Sequence, residues 1–342
     1  MLSVSTALAR LRDGLSEPFP DSPGTRIIDI AFPLNDAFDP LLWCGQQPQW
    51  PQFYWQQRNG DEEMAALGAV KSFPSLDAAN RFLHQAGRQD LRICGLNAFA
   101  PQQGRLVLPR LEWRRCGGRA VMRLVLHSDL SLRDDAMTAR DFLASLTTAQ
   151  ATPGGVPPLL SERHSSDYPL WQAMIELATQ AIAAGDMDKV VLARATDLQF
   201  AAPLDAVSIM AASRSRNLNC FHFLMAFNAR QAFFGSTPER LWRRRGALLR
   251  TEALAGTVAN HQDDAKAQQL ADWLMKDDKN QRENMLVVED ICQRLQSEAS
   301  TLDVLPPQVV RLRKVQHLRR CSCRRQRLSS GSASSHQIQR RR

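Results

Sequence analysis

Over roughly the first 150 residues, apolar and polar positions alternate with the two-residue period of β-strands. Helical spacing of apolar residues, at every third or fourth position, interrupts this pattern at 75–87 and 137–148. Asn59-Gly60 and Gly117-Gly118 lie between consecutive strand-like runs and are typical of hairpin turns, which join antiparallel neighbours. The predicted strands are 26–32, 52–57, 64–70, 105–115 and 119–127. The pattern predicts an α+β region with mostly antiparallel strands over residues 1–150.

A segment rich in proline, glycine and serine at 149–167 is the best candidate for a domain boundary. Beyond it, a run at 220–227 is apolar on both faces, as expected of a strand that is covered on both sides. His222 lies within this run, and we expect it to be a buried core histidine. The other predicted elements are helices at 168–186, 203–214 and 263–297, with a break near 277, and strands at 189–200, 232–236 and 247–258. We assign a second domain to residues 160–320.

Positive charge is concentrated at the end of the chain. The formal net charge is +8 and the pI is near 9.4, which alone would favour an anionic partner such as nucleic acid. Eight of the 43 basic residues lie between Arg319 and Arg342, where there is no Asp or Glu, so the first 318 residues hold 35 basic and 35 acidic side chains. The body of the chain is therefore balanced, and we do not expect nucleic acid as a partner. The stretch 321–342 is predicted to be a disordered basic tail, because it has too few apolar residues to fold.

The composition favours a cytoplasmic protein. No run of eighteen apolar residues is present, so no transmembrane helix is predicted. The first fifteen residues have the spacing of an amphipathic helix, and acidic residues follow too soon for a signal peptide. Seven cysteines at wide spacing, without a CxxC pair, indicate reduced thiols.

Several common catalytic signatures are absent, among them GxGxxG, GxxxxGK[ST], HExxH and GxSxG. What remains is a set of polar residues at strand ends and on one helix. Taken singly, each has an ordinary structural explanation; Glu283, for example, lies four residues after Lys279 and fits an exposed helix pair. The candidates are Lys189 in KVVLARAT, Glu239 in STPERL, the run TEALAGT at 251–257, Glu283 in ENMLVVEDI and His317 in KVQHL.

Taken together, the order and spacing of these segments resemble the chorismate-utilising enzymes, the family that includes the synthase components for anthranilate, aminodeoxychorismate, salicylate and isochorismate. The segments PQFYWQQRNGDEE and PRLEWRRCGG extend the resemblance into the first half, where it is to the isochorismate synthases of menaquinone biosynthesis. The resemblance covers roughly residues 1–320. It implies an α+β fold of large, mostly antiparallel sheets flanked by helices, like that of anthranilate synthase component I, and a catalytic domain at 160–320.

The resemblance also implies roles for the candidate residues in the conversion of chorismate to isochorismate. Water adds at C2 and the C4 hydroxyl leaves, so the reaction needs a base and an acid. By resemblance, Lys189 is the base, Glu239 is the acid and Glu283 is a carboxylate ligand of Mg²⁺. A lysine base must be desolvated or lie near another cation, and an apolar wall would help Glu239 to hold its proton.

Substrate-binding roles fall, by the same resemblance, to the ALAGT segment and to the histidine of KVQHL. The backbone amides of Ala255, Gly256 and Thr257, with the Thr257 hydroxyl, would approach chorismate, and Gly256 suits a close backbone approach. His317 matches a histidine near the ring and its carboxylate. No obligate protein partner is implied.

Two positions select among the reactions of the family. Relatives that use ammonia for anthranilate lack a lysine at the position of Lys189, so Lys189 favours water as the nucleophile. Aminodeoxychorismate synthases carry a nucleophilic lysine where this chain has Ala255. Salicylate synthases share the lysine and stay open as an alternative, because they form isochorismate and then eliminate pyruvate.

The resemblance stops after Arg320. Family members continue with strands whose arginine and tyrosine hold the substrate, and with a helix that supplies a second Mg²⁺ carboxylate. We therefore expect a C-terminally truncated catalytic domain, a coding frame lost near residue 320 and little or no synthase activity. A non-catalytic fragment with a basic binding tail is the third alternative.

Overall fold

The computed structural model describes residues 3–32, 37–87, 90–100, 102–296 and 299–326. These residues form two compact units. The first contains the described parts of Met1–Gly154 and Ala206–Arg240, and the second those of Gly155–Asp205 and Leu241–Arg327. Among the described residues, no helix is long and apolar enough to cross a bilayer.

A seven-stranded antiparallel sheet organises the first unit. The strands of this unit are β1 (Gly24–Phe32), β2 (Gln52–Gln56), β3 (Glu62–Leu67), β4 (Lys71–Phe73), β5 (Cys94–Asn97), β6 (Gly104–Leu108), β7 (Leu111–Cys116), β8 (Arg119–Ser128), β11 (Phe221–Asn228) and β12 (Gln231–Thr237). The order in the large sheet is β1-β8-β7-β3-β2-β11-β12, and a three-stranded sheet has the order β4-β6-β5. Its helices are α1 (Val4–Gly14), α2 (Pro40–Gly45), α3 (Leu76–Ala86), α4 (Leu132–Ser145) and α6 (Ala206–Arg216).

Helices α1 and α4 bury their apolar faces on the large sheet of the first unit. Ser3 and Ser131 cap the two helices by accepting hydrogen bonds from backbone amides of the first turn. Leu11 of α1 and Leu143 of α4 are fully buried, together with Trp113 of β7, in the main core cluster. Burial of this apolar surface is the main stabilising contribution to the unit.

The second unit contains a five-stranded antiparallel sheet. Strand β14 (Leu248–Ala259) lies beside β13 (Arg243–Arg245) on one side and β17 (Val315–Gln326) on the other. β17 also pairs with β15 (Ala299–Val304) and with β16 (Gln308–Arg311). The other elements are the hairpin of β9 (Leu159–His164) with β10 (Thr196–Phe200), and helices α5 (Tyr168–Ala184), α7 (Asp264–Lys276) and α8 (Asp278–Leu295). The predicted α+β class with mostly antiparallel sheets is confirmed.

The division between the units differs from the predicted domains 1–150 and 160–320. The chain does change unit after Gly154, within the predicted linker. Residues 206–240, however, return to the first unit, because β11 completes its backbone hydrogen bonds against β2, from His222 opposite Gln56 to Ala226 opposite Gln52.

The predicted limits of two strands, 105–115 and 189–200, are wrong. The run predicted at 105–115 is two strands in different sheets, because Pro109 and Arg110 interrupt it between β6 and β7. The strand predicted at 189–200 forms only over Thr196–Phe200, where β9 supplies a partner, and residues 189–195 carry no strand in the described structure. A strand needs a neighbour to satisfy its backbone, so an apolar pattern alone does not create one.

The predicted disordered tail at 321–342 is wrong for its first six residues. β17 continues through Gln326, and its last residues pair with β14 on one side and β15 on the other. Backbone hydrogen bonds on two sides hold this segment in a strand whatever its side chains. Residues 327–342 lie outside the described residues.

His222 is a buried core histidine, as predicted. It is 5% exposed on β11, and its Nδ1 lies 2.8 Å from the Ser236 hydroxyl of β12. Burial, with a smaller contribution from the positive charge of Arg214, lowers the pKa of His222 from 6.5 to about 4. The native protein therefore keeps this ring neutral at a pH where the unfolded chain protonates it.

We predict that His222 makes the first unit less stable in acid. As the pH falls from about 6.5 towards 4, the unfolded chain binds a proton at His222 that the native state does not, so the free energy of unfolding decreases, by up to about 3 kcal/mol. Urea unfolding at several pH values should show this slope, and His222→Gln should flatten it. The control His164→Gln, at a histidine of β9 with 37% of its side chain exposed, should keep the wild-type slope. Equal slopes in wild type and His222→Gln would contradict the assignment.

Candidate active site

The second unit brings Lys189 and Glu283 together. Lys189 lies on the extended segment before β10, Glu283 lies on the first half of α8, and the Lys189 Nζ is 3.6 Å from Glu283 Oε1. Their side chains are 31% and 39% exposed. The helix pair with Lys279, which the sequence alone suggested, is thus replaced by a pair between residues 94 positions apart. Because the amine and the carboxylate are adjacent and both partly exposed, one ligand can contact the two groups together.

Strand β14 bulges at the ALAGT segment. Its register against β17 runs from Leu254 opposite Arg319 directly to Thr257 opposite His317, so Ala255 and Gly256 have no partner in the ladder. Gly256 has a φ of +84°, and a Cβ added there would lie 3.1 Å from Asn280 Cβ and 3.2 Å from its carbonyl oxygen. Only glycine fits this conformation without strain.

Helix α8 contacts the bulge through its first turns. The Thr257 amide donates a hydrogen bond to Asn280 Oδ1 at 3.1 Å. This contact engages one of the three amides that we expected to face a substrate. Ala255 and Gly256 are buried and Thr257 is exposed, so the Thr257 hydroxyl is the polar group of the bulge that is open to a ligand.

Thr257 and His317 lie opposite each other on β14 and β17. The Thr257 hydroxyl oxygen and His317 Nδ1 share a hydrogen bond of 2.9 Å. The bulge creates this pairing. Ala255 and Gly256 have no partner in the ladder, so the next paired residue of β14 after Leu254 is Thr257, and it lies opposite His317. Two of the predicted substrate-binding residues are therefore in direct contact.

Glu239 lies in the first unit, on the turn that follows β12. Its backbone is held from two sides: the Glu239 amide donates to Thr237 Oγ1 at 3.1 Å, and Arg58 Nη1 donates to the Pro238 carbonyl at 2.9 Å. Arg58 also lies over the Phe221 ring, 4.8 Å from its centroid. The Glu239 side chain is exposed, so the apolar wall expected beside it is not formed by the described residues of this unit.

Glu283 is the carboxylate of this site that could bind a metal ion. Over the described ranges, no group of three or more His, Cys, Asp or Glu side chains is placed to hold an ion. Mg²⁺ keeps several of its waters and can be bound by one or two carboxylates together with an anionic substrate. The half-exposed Glu283 fits that mode of binding, and a closed cage of protein ligands does not form here.

The residues that hold this arrangement in place are not among those predicted from the sequence. Asn280 and Asn284 on α8 contact the bulge, and Arg320 of β17 donates to Asn284 Oδ1 at 2.7 Å. The available signal was the asparagine that follows Glu283 in the ENMLVVEDI motif, an amide on the apolar face of a helix. A buried amide of this kind must find partners.

Comparison with known proteins gives consistent matches. The profile of the chorismate binding enzyme family matches residues 96–324. The isochorismate synthase MenF of Escherichia coli (strain K12) is 63% identical over 322 residues, which are 94% of this chain and 75% of that protein. The isochorismate synthase MenF of Pasteurella multocida is 38% identical over 85% of this chain and 67% of that protein. The solved structure of the menaquinone-specific isochorismate synthase of E. coli superposes with a TM-score of 0.92 at 61% identity, over 95% of this chain and 76% of that one.

We predict that Gly256→Ala destabilises the second unit more than Gly246→Ala does. Both glycines have positive φ, but a Cβ at position 246 meets nothing within 4 Å, whereas at position 256 it meets Asn280. Alanine at 246 should cost only the conformational strain, about 1 kcal/mol, and alanine at 256 should cost at least about 1 kcal/mol more. Urea unfolding of the two variants provides the measurement. Equal losses would show that the bulge can move away from α8 freely.

Proposed function

The chain belongs to the chorismate-binding enzyme family, and on that premise we propose that it converts chorismate to isochorismate by adding water at C2 and releasing the C4 hydroxyl, for menaquinone biosynthesis. The observation that carries the proposal is the pairing of Lys189 with Glu283 beside the bulge that holds Thr257 and His317. The identity of 63% to an isochorismate synthase supports the choice of reaction. The described cysteines, from Cys44 to Cys321, are free thiols, which supports a cytoplasmic location.

Lys189 is the proposed base for the attacking water. Its amine is close enough to the surface to reach a bound water molecule, and it emerges from a segment without strand pairing in the described structure. The contact with Glu283 places the Lys189 amine within the proposed site.

Glu239 is the proposed acid for the departing hydroxyl. A hydroxyl group leaves readily only when it is protonated, and a positioned carboxylic acid can supply that proton. The turn that carries Glu239 is fixed by Arg58 and Thr237, so its side chain projects from a held backbone. This role rests on the resemblance and on the rigidity of the turn.

The bulge and His317 are the proposed binding groups for chorismate. The Thr257 hydroxyl and the His317 ring form one polar pair, which can exchange its internal hydrogen bond for bonds to a carboxylate or hydroxyl of the substrate. The buried residues Ala255 and Gly256 lie next to this pair in the bulge. Glu283 would hold Mg²⁺, which when bound would neutralise the ring carboxylate of chorismate.

We predict that isochorismate formation depends on Lys189 and Glu239. The purified chain is incubated with chorismate and Mg²⁺, and isochorismate is quantified by liquid chromatography. Lys189→Ala and Glu239→Gln should each lower the rate by at least about 10²-fold, the usual contribution of a general base or acid. Lys279→Ala, at an exposed lysine on the same helix as Glu283, should retain the wild-type rate.

The expectation of little or no synthase activity stays a prediction, so this assay compares the rates of the variants with that of the wild type. Isochorismate that forms equally well in Lys189→Ala would remove Lys189 from the reaction. A wild-type chain that forms none at all would agree with the expected loss of synthase activity and would overturn the proposed activity for this polypeptide.

We also predict that the reaction ends at isochorismate. A salicylate synthase would form isochorismate and then release pyruvate, and lactate dehydrogenase with NADH detects pyruvate directly. We expect isochorismate to accumulate without stoichiometric NADH oxidation. Pyruvate formed at the rate of chorismate consumption would favour the salicylate alternative.

A further inference from the structure

Asn284 is a fully buried polar residue at the centre of the second unit. It is 0% exposed, and it follows Glu283 directly on α8. Its Nδ2 lies 3.2 Å from the Ala253 carbonyl, 3.1 Å from that of Ala255 and 3.0 Å from that of Leu318. One side-chain amide thus contacts both the strand that carries the bulge and the strand opposite it.

Two of these carbonyls, those of Ala255 and Leu318, lie where the ladder between β14 and β17 is interrupted, and the third belongs to Ala253, two residues before the interruption. The register changes between Leu254 and Thr257, so backbone amides of the opposite strand do not follow their regular pattern there. A buried carbonyl without a donor costs about 1–3 kcal/mol. Asn284 donates to these carbonyls from the helix, at the interruption of the ladder.

The orientation of the Asn284 amide is fixed by Arg320. The guanidinium donates to Asn284 Oδ1 through Nη1 at 2.7 Å and to Gln281 Oε1 through Nη2 at 2.5 Å. Because a guanidinium only donates, the oxygen of the Asn284 amide must face Arg320 and its NH₂ group must face the carbonyls. The hydrogen bonds of Asn284 are therefore consistent with only one orientation of its side-chain amide.

We propose that Asn284 is a positioning residue for the chorismate site: it holds the β14 bulge in the conformation that joins Thr257 to His317 and ties that pair to Glu283. The link to Glu283 is covalent, since the two residues are adjacent on α8. The link to Thr257 runs through the carbonyl of Ala253, before the bulge, and through that of Ala255, within it. The part that concerns the substrate rests on the proposed function, whereas the hold on the bulge does not.

The test compares Asn284→Ala with Asn260→Ala in the full chain. Asn260 is a matched control in the same unit, because its Nδ2 donates to the Leu312 carbonyl at 2.7 Å and its Oδ1 accepts from Arg311 Nε at 2.9 Å. Both substitutions remove an amide that bridges a carbonyl and an arginine. Only the first removes an amide that contacts the bulge.

Hydrogen exchange measured by mass spectrometry gives the first readout. In Asn284→Ala, the amides of 254–257 should exchange at least about tenfold faster than in wild type, while those of 248–252 on the same strand stay within about twofold. Asn260→Ala should leave both segments unchanged. Equal exchange of 254–257 in the two variants would overturn the inference.

Chorismate binding gives the second readout. With Mg²⁺ present, Asn284→Ala should weaken chorismate binding about tenfold, seen as a higher KM with a smaller change in kcat, and Asn260→Ala should not. Faster exchange at the bulge with unchanged KM would overturn the positioning role, because the bulge would then be structural only. A wild-type chain that neither binds nor converts chorismate would refute the proposed function instead, and the exchange data would still decide whether Asn284 holds the bulge.

A second variant covers the case in which Asn284→Ala does not fold. Asn284→Asp keeps the size of the side chain and can still accept from Arg320, but it has no donor for the three carbonyls. It should show the same local exchange at 254–257. Wild-type exchange and wild-type KM in Asn284→Asp would overturn the inference.

Discussion

The pairing of β17 with three other strands is the constraint on which the second unit depends. β17 lies between β14 on one side and β15 and β16 on the other, so its backbone is satisfied along nearly its whole length. Helix α8 packs on β14 and on β17, and it carries Glu283 on the same turn as the amide that contacts both strands. Loss of β17 would remove His317 and would leave the bulge of β14 and the donors of α8 without the strand that joins them.

The bulge shows how an irregularity in a sheet brings polar side chains together. A regular antiparallel ladder places side chains at fixed intervals and leaves no polar backbone group available. The two unpaired residues at 255–256 bring Thr257 opposite His317, and the glycine at positive φ allows the backbone to form the bulge. The helix that stabilises this irregularity also supplies the carboxylate beside Lys189. Stability and the arrangement of the site thus depend on the same packing of α8 against β14.

The sequence predicted the elements whose signal lies within their own residues. It gave wrong limits for strands whose extent depends on a neighbouring strand. The helix break predicted near 277 lies at Asp277, which caps α8, and the helix predicted over 168–186 is α5, which ends at Gly185 in the left-handed conformation. The limits of β10 and of β17 depend on which strand lies alongside, and alternation cannot supply that information. For the site, the resemblance identified Lys189, Glu283, Thr257 and His317 as candidates. The contacts of Asn280, Asn284 and Arg320 arise from tertiary packing alone.

The basic character of the chain has a different meaning once its arginines are located. Arg319 donates to Gln308 and Arg320 to Asn284 and Gln281, so two of the eight arginines that account for the net charge already have partners within the sheet and helix of the second unit. Burial lowers the pKa of Arg320, which measures the cost of holding its charge away from water. Affinity for a phosphate backbone rises with each cation that is free to displace a counterion, and a guanidinium bound to amide oxygens inside a fold cannot do so without breaking those bonds. A net charge read from composition therefore overstates the electrostatic attraction that this surface offers to nucleic acid.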